Sequence, residues 1–177
     1  DNDTVIDDVL DNSGGDEDDN DIAVLEAVIE DWGDNPDQGA GSGTGDYGTL
    51  LADNGPRHSV VAGLHLGDLV DGETDGLPTV KADGDNTNDL NDEDGVNLAD
   101  LQLIEGVNAT VRVTATNTTS QPAYIYGFID FNANGDFTDP GEAVSVTVPI
   151  NSDHAEFTLN FGAVPINGVT ETYARFR

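Results

Sequence analysis

The stretch Ala123-Tyr-Ile-Tyr-Gly-Phe-Ile-Asp-Phe-Asn-Ala-Asn-Gly-Asp-Phe-Thr-Asp-Pro-Gly-Glu142 joins two patterns. Its second half places oxygen-bearing side chains at every other position, Asp130, Asn132, Asn134 and Asp136, around a turn-forming Gly135. Ca²⁺ takes six to eight oxygens at about 2.3–2.6 Å, and alternate residues of a tight loop can aim their oxygens inward. This is the front half of an EF-hand loop. The twelfth position, however, is Gly141, and the closing glutamate comes one later, at Glu142. Residues 123–129 are rich in aromatic and β-branched side chains and read as a strand, where an EF-hand needs a helix. The pattern predicts a calcium loop carried between strands. Its ligands would be Asp130, Asn132, Asn134, the backbone carbonyl of Asp136 and the carboxylate of Glu142, with Asp139 as an extra ligand. The plain alternative is an acidic Asn/Gly turn.

Outward from this stretch the strand pattern continues. Thr110-Val-Arg-Val-Thr-Ala-Thr116 alternates apolar and polar residues. Runs at 123–131, 142–149, 154–161 and 170–177 follow at regular spacing, with turn residues between them. Short strands at such spacing make a sandwich or barrel. The fold expected is all-β, an Ig-like or jelly-roll-type β-sandwich with long acidic calcium-binding loops and an N-terminal extension strand. Asn108-Ala-Thr and Asn117-Thr-Thr match the glycosylation acceptor pattern and make Asn108 and Asn117 candidate acceptors.

Composition narrows the function classes. With 36 acidic against 5 basic residues the formal net charge is −31. Self-repulsion on that scale opposes a compact state unless something neutralises it. Several bound Ca²⁺ ions would do so; a halophilic or solubility shell is the competing account. Nucleic acid is excluded as a partner, since phosphate contacts need Lys and Arg. Cysteine is absent, which removes disulfides and thiolate chemistry. No run is apolar for long enough to insert in a membrane as a helix, and the chain reads as a mature, processed one. Nor is an enzyme expected, because no nucleophile elbow, His-x-x-x-His pair or phosphate loop occurs. Gly41-Ser-Gly-Thr-Gly45 lacks the lysine a phosphate loop requires and is taken as part of a flexible loop over 38–46.

The N-terminal part has a different texture. Residues 1–30 form an acidic extension that contains one apolar run, Ile22-Ala-Val-Leu-Glu-Ala-Val-Ile29. Residues 22–30 are a candidate donor strand with Ile22, Val24, Leu25, Val28 and Ile29 as its inter-subunit contacts; residues 31–177 form the body. A second acidic group is expected to converge on further ions. There Asp34 and Asp37 would approach Asp71, Glu73 and Asp75, or Asp83, Asp85, Asp92 and Asp94. The segment from 68 to 95 is too polar to order itself by burial alone. It is either a linker or a loop wrapped on calcium.

Several separate motifs resemble the GEVED domain family: Asp31-Trp-Gly-Asp34 with Pro36-Asp37, Tyr47-Gly-Thr-Leu50, Asp92-Glu-Asp-Gly-Val96, Ile129-Asp-Phe-Asn132 with Gly135-Asp-Phe137 and Gly141-Glu142, and Thr172-Tyr-Ala-Arg-Phe-Arg177. The resemblance spans about residues 31–177. It implies a non-catalytic, calcium-binding β-module of secreted and cell-surface bacterial proteins, often adhesin-like. Two features depart from the family: the Gly-rich insertion at 38–46, and the absence of the Gly-Glu-Val-Glu-Asp strand that would follow Arg177. A sheet lacking that strand would present an open edge, a template for pairing with another chain. The expected function is therefore an extracellular structural subunit that self-associates into a helical filament or fibril by β-strand addition. The alternative is a calcium-dependent adhesin module that binds glycans through Tyr124 and Tyr126.

Overall fold

A computed structural model describes residues 28–84 and 95–177. Eight strands are present there: β1 (Glu30–Trp32), β2 (Arg57–Ser59), β3 (Leu64–Leu66), β4 (Asn108–Asn117), β5 (Ala123–Ile129), β6 (Ala143–Val148), β7 (Ser152–Ala163) and β8 (Ala174–Phe176). The helical elements named among the described residues are short 3₁₀ turns at Leu51–Asp53 and Leu98–Leu101. The protein is all-β. One antiparallel sheet has the order β3-β4-β7, a second the order β6-β5-β8, and β1 pairs with β2 in a small ribbon.

The long strands form where the sequence alternates. Along β4, Ala109, Val111, Val113 and Ala115 are buried, while Thr110 and Arg112 face out. Along β5, Ile125, Gly127 and Ile129 point inward, with Tyr124 and Tyr126 on the other face. The inward residues of both sheets join Val148, Leu159 and Phe161 in one core, a sandwich-like arrangement. Gly127 is required there. A Cβ at this position would lie 2.7 Å from Leu159 and 3.0 Å from Phe161, closer than packed side chains tolerate.

β6 lies against β7 along one side of the two sheets. A cavity of about 860 Å³ opens along the other, walled by residues of β1, β2, β3 and β8. Its lining reaches core residues Ala115, Ile125 and Val148.

Several expectations are corrected. The run at 22–30 does not end as a free strand. Glu30 opens β1, and β1 pairs with β2 of its own chain, Glu30 opposite Ser59. The carbonyl of Ile29 also accepts from the Val60 amide at 2.9 Å. Val28 and Ile29 stand 68% and 59% exposed, whereas Ile22, Val24 and Leu25 lie outside the described residues. Residues 69–79 are ordered by backbone pairing to residues 30–34: Glu73 N donates to Glu30 O, Leu77 N to Gly33 O and Thr79 N to Asp34 O. These bonds give residues 73–79 a backbone source of order beside the ions the sequence reading invokes. Asn117 is fully buried, and its amide donates to the carbonyls of Gln121 and Val148. A glycan on that nitrogen would displace both bonds, so the fold leaves no acceptor there. Asn108 remains exposed on β4.

Candidate metal centre

The loop between β5 and β6 is built around one buried carboxylate. Asp130 has no exposed surface. Its Oδ1 accepts from the amides of Asn132 and Asn134, each at 3.2 Å. Its Oδ2 accepts from Gly135 N at 2.9 Å and from the Tyr47 hydroxyl at 2.8 Å. The Thr172 hydroxyl donates to its backbone carbonyl. Both carboxylate oxygens are thus engaged by the protein. Asp130 shapes the loop through these bonds.

The loop continues as nested turns. Asn132 Oδ1 accepts from Asn134 N, Asn134 Oδ1 from Asp136 N, and Asp136 Oδ1 from Thr138 N and Oγ1. The Thr138 bonds hold the Asp136 carboxyl below its usual range. The amide nitrogens of Asn132 and Asn134 both donate to Asp139 Oδ2, at 2.6 and 3.0 Å. These two asparagines were expected as oxygen ligands. In this arrangement they present N–H groups and hold Asp139 in place.

Glu142 closes the loop from below, 2% exposed. Its Oε1 accepts from Phe131 N at 2.9 Å and its Oε2 from Asp139 N at 3.2 Å. Burial pushes its carboxyl up. The two amides oppose that shift, and the charges of Asp130 and Asp139 add to it. Asp136, Asp139 and Glu142 converge, each offering a carboxylate oxygen within 4.8 Å of the others. Two ligands on opposite sides of one Ca²⁺ would lie about 4.8 Å apart at the usual Ca–O distance. The spacing therefore fits a single ion, and a divalent cation there would offset the burial of Glu142. Asp139, expected as the extra ligand, is central, and Asp136 contributes its carboxylate where its carbonyl was expected.

The second acidic group does not gather into a ligand set among the described residues. Asp37 Oδ2 accepts from the amides of Thr49 and Leu50. Asp75 Oδ1 accepts from Leu51 N and Gly76 N. Asp83 is tied to Thr79. Asp34 is buried in the segment that pairs with Thr79. Glu73 Oε2 accepts from Trp32 N, and the side chain shares a hydrogen bond with Asp71. Burial, then the shared bond and the charges of Asp31 and Asp71, push Glu73 up to about 7 against the opposing pull of the Trp32 amide. The carboxylates of Asp37 and Asp75 thus cap backbone N–H groups of irregular segments, which would otherwise go unpaired. Asp85, Asp92 and Asp94 lie outside the described residues.

Three contributors to the loop escape its own sequence pattern. Tyr47 stacks on Phe137 at 5.3 Å while donating to Asp130, and burial followed by that bond raises its hydroxyl pKa. Gly43 packs its backbone onto Gly135, where φ is +92° and a Cβ would strike the Gly43 carbonyl. Thr172 reaches in from the segment before β8. Only the Tyr47-Gly-Thr-Leu and Thr172-Tyr motifs gave any sequence signal for these contacts. No family model, curated protein or solved structure matches the chain, so the GEVED resemblance has no support from these comparisons. No helix among the described residues is long and apolar enough to cross a membrane.

Proposed function

We propose that this chain is an extracellular, calcium-stabilised structural module that polymerises by β-strand addition. The observation that carries this reading is the cavity of about 860 Å³ beside β3 and β8. Both are edge strands of their sheets among the described residues, and the cavity reaches the shared core between them. An open edge over exposed core takes an added strand through main-chain hydrogen bonds, with alternate side chains setting register. The run at 22–28 is apolar enough to enter. A head-to-tail contact of this kind continues as a helical filament when its rotation does not close. The Asp136, Asp139 and Glu142 cluster supports the calcium part of the reading. Electron microscopy and light scattering of the full chain in millimolar CaCl₂ test it. Filaments are expected from the wild type and none from Val24→Asp. Filaments formed equally by Val24→Asp, or a wild type that stays monomeric, would overturn it.

A glycan-binding role is the second reading. Tyr124 and Tyr126 are 59% and 45% exposed, with ring centroids 6.4 Å apart, and Phe128 extends the row at 6.3 Å. Exposed aromatic rows suit sugar stacking. Binding on a glycan array that is lost in the Tyr124→Ala/Tyr126→Ala double variant would favour it.

A further inference from the structure

The groove beside β3 and β8 carries both signs of charge. Asp31, Asp34 and Glu171 line it, and so do Lys81, Arg175 and Arg177. An anion entering the groove would meet carboxylates, and a cation would meet basic groups. A hydroxyl group suits both, since it donates to a carboxylate and accepts from a guanidinium or an ammonium. The mixed wall therefore favours an uncharged ligand dense in hydroxyls. Its volume of about 860 Å³ lies within the usual range of small-molecule sites, about 300–1,000 Å³.

Donors in the wall point the same way. Nε1 of Trp32, Nδ2 of Asn35, and both Nε and Nη2 of Arg175 are buried with no hydrogen-bond partner among the described residues. All three residues line the groove. Trp32 and Asn35 are only 8% and 5% exposed, so water does little to offset the loss. A buried donor left unpaired is costly, and native folds hold few of them. Four such donors in the wall of one cavity call for an occupant that brings acceptors. Aromatic surface is present as well. Tyr124 and Tyr126 line the same groove and are exposed, and their row continues to Phe128. Ring faces beside a few polar groups match a pyranose, which has a C–H face and a rim of hydroxyls.

We propose that the groove binds a neutral oligosaccharide, with Tyr124 and Tyr126 as its stacking platform and Trp32, Asn35 and Arg175 as donors to its oxygens. The proposal rests on the glycan-binding reading above. It extends the aromatic row into the groove and fixes the class of glycan as uncharged. It also gives the groove a different occupant from strand addition. The donor atoms are themselves buried, so the sugar reaches them as the wall shifts, and Trp32 moves with the wall.

The test uses the full chain at a concentration where light scattering shows no assembly. An array of immobilised neutral, uronic-acid and sulfated oligosaccharides reports the class, and neutral sugars should bind best. The best-bound neutral oligosaccharide is then titrated in solution. Trp32 is the only tryptophan of the chain, so its emission should shift and saturate with that sugar. Calorimetry compares the wild type with Arg175→Met, which removes two of the donors and keeps an apolar stem near Phe137, the ring its guanidinium lies over at 5.1 Å. The affinity should fall at least about tenfold, while the melting temperature holds or rises because a buried charge is gone. A role confined to folding would lower the melting temperature instead. Trp32→Phe removes one neutral donor and should weaken binding about threefold to tenfold, which keeps the test open if Arg175→Met does not fold. Binding confined to acidic glycans, an emission that stays constant as sugar binds, or full affinity in the donor variants would overturn the proposal. Binding that depends on Tyr124 and Tyr126 but on none of the donors would keep the glycan reading and remove the groove from it. No binding to any glycan would sink both.

Discussion

Asp130 shows what one carboxylate does when a loop is wound around it. Four donors converge on its two oxygens, one of them a hydroxyl from 83 residues away. Hydrogen bonds to a charged acceptor contribute more than neutral ones, and buried donors left behind are costly. Asp130→Ala should therefore lower the unfolding free energy by about 3 kcal/mol, with Asp130→Asn intermediate; urea denaturation measures both. Glu73 makes a different prediction. Its folded pKa is about 7, above the ordinary value for an unfolded glutamate, so the folded state keeps a proton that the unfolded state has lost. Its contribution to stability is fully present below the unfolded pKa and is lost as pH rises to about 7. Thermal melts at a series of pH values should show this decline, and Glu73→Gln should flatten it. A wild-type profile that rises across the same window would contradict the shared proton with Asp71. Neither role was legible from position alone. The Asp130 spacing suggests a ligand loop but could not reveal that the Tyr47 hydroxyl would donate to its carboxylate. Glu73 reads as one acid among many until β1 lies beside it.

Among the elements, the long strands were legible from their own alternation, and the short β8 falls within the run expected at 170–177. The alternation in β4 and β5 marks inward and outward faces without help from the rest of the chain. β1, β2 and β3 have three residues each, too few for a period of two to register. Their existence depends on partners far along the chain, as with Glu30 opposite Ser59. The same reason hid the packing of the Gly-rich segment against the loop between β5 and β6. Gly43 pairs with Asp46 and meets Gly135 backbone to backbone, so a segment expected to be flexible forms part of the loop's wall. Gly135→Ala tests this contact. A positive φ and a clash with backbone both oppose the methyl group, and a loss of about 2 kcal/mol or more is expected. Gly141→Ala is the comparison, because its φ is +94° with nothing within 4 Å of the added carbon. It should cost clearly less, and equal losses would show that the Gly43 contact contributes little.

For the whole molecule the governing quantity is the charge of −31. Two physical remedies were weighed from composition, bound calcium and a halophilic surface, and they separate experimentally. The charge itself was legible in full. Its distribution was not: Asp37, Glu73, Asp75 and Asp130, all expected as ligands, accept from backbone amides, and one three-carboxylate cluster converges among the described residues. A ligand that binds only the folded state stabilises it by about 2.7 kcal/mol at a hundredfold excess over its Kd. For a chain of this size that corresponds to a rise of about 5–10 °C in Tm. Adding Ca²⁺ to chelator-treated protein should produce such a shift and saturate. In Asp139→Asn/Glu142→Gln the shift should largely vanish, although the melting temperature without calcium should change less, because burial of the Glu142 charge is relieved by the same substitution. NaCl supplies the counter-test. At about 1 M the screening length is about 3 Å, so salt alone should reproduce the stabilisation if the problem is diffuse repulsion. A calcium effect that persists in 1 M NaCl and is lost in the double variant assigns stability to a bound ion. A melting temperature that responds only to salt would assign it to the surface as a whole.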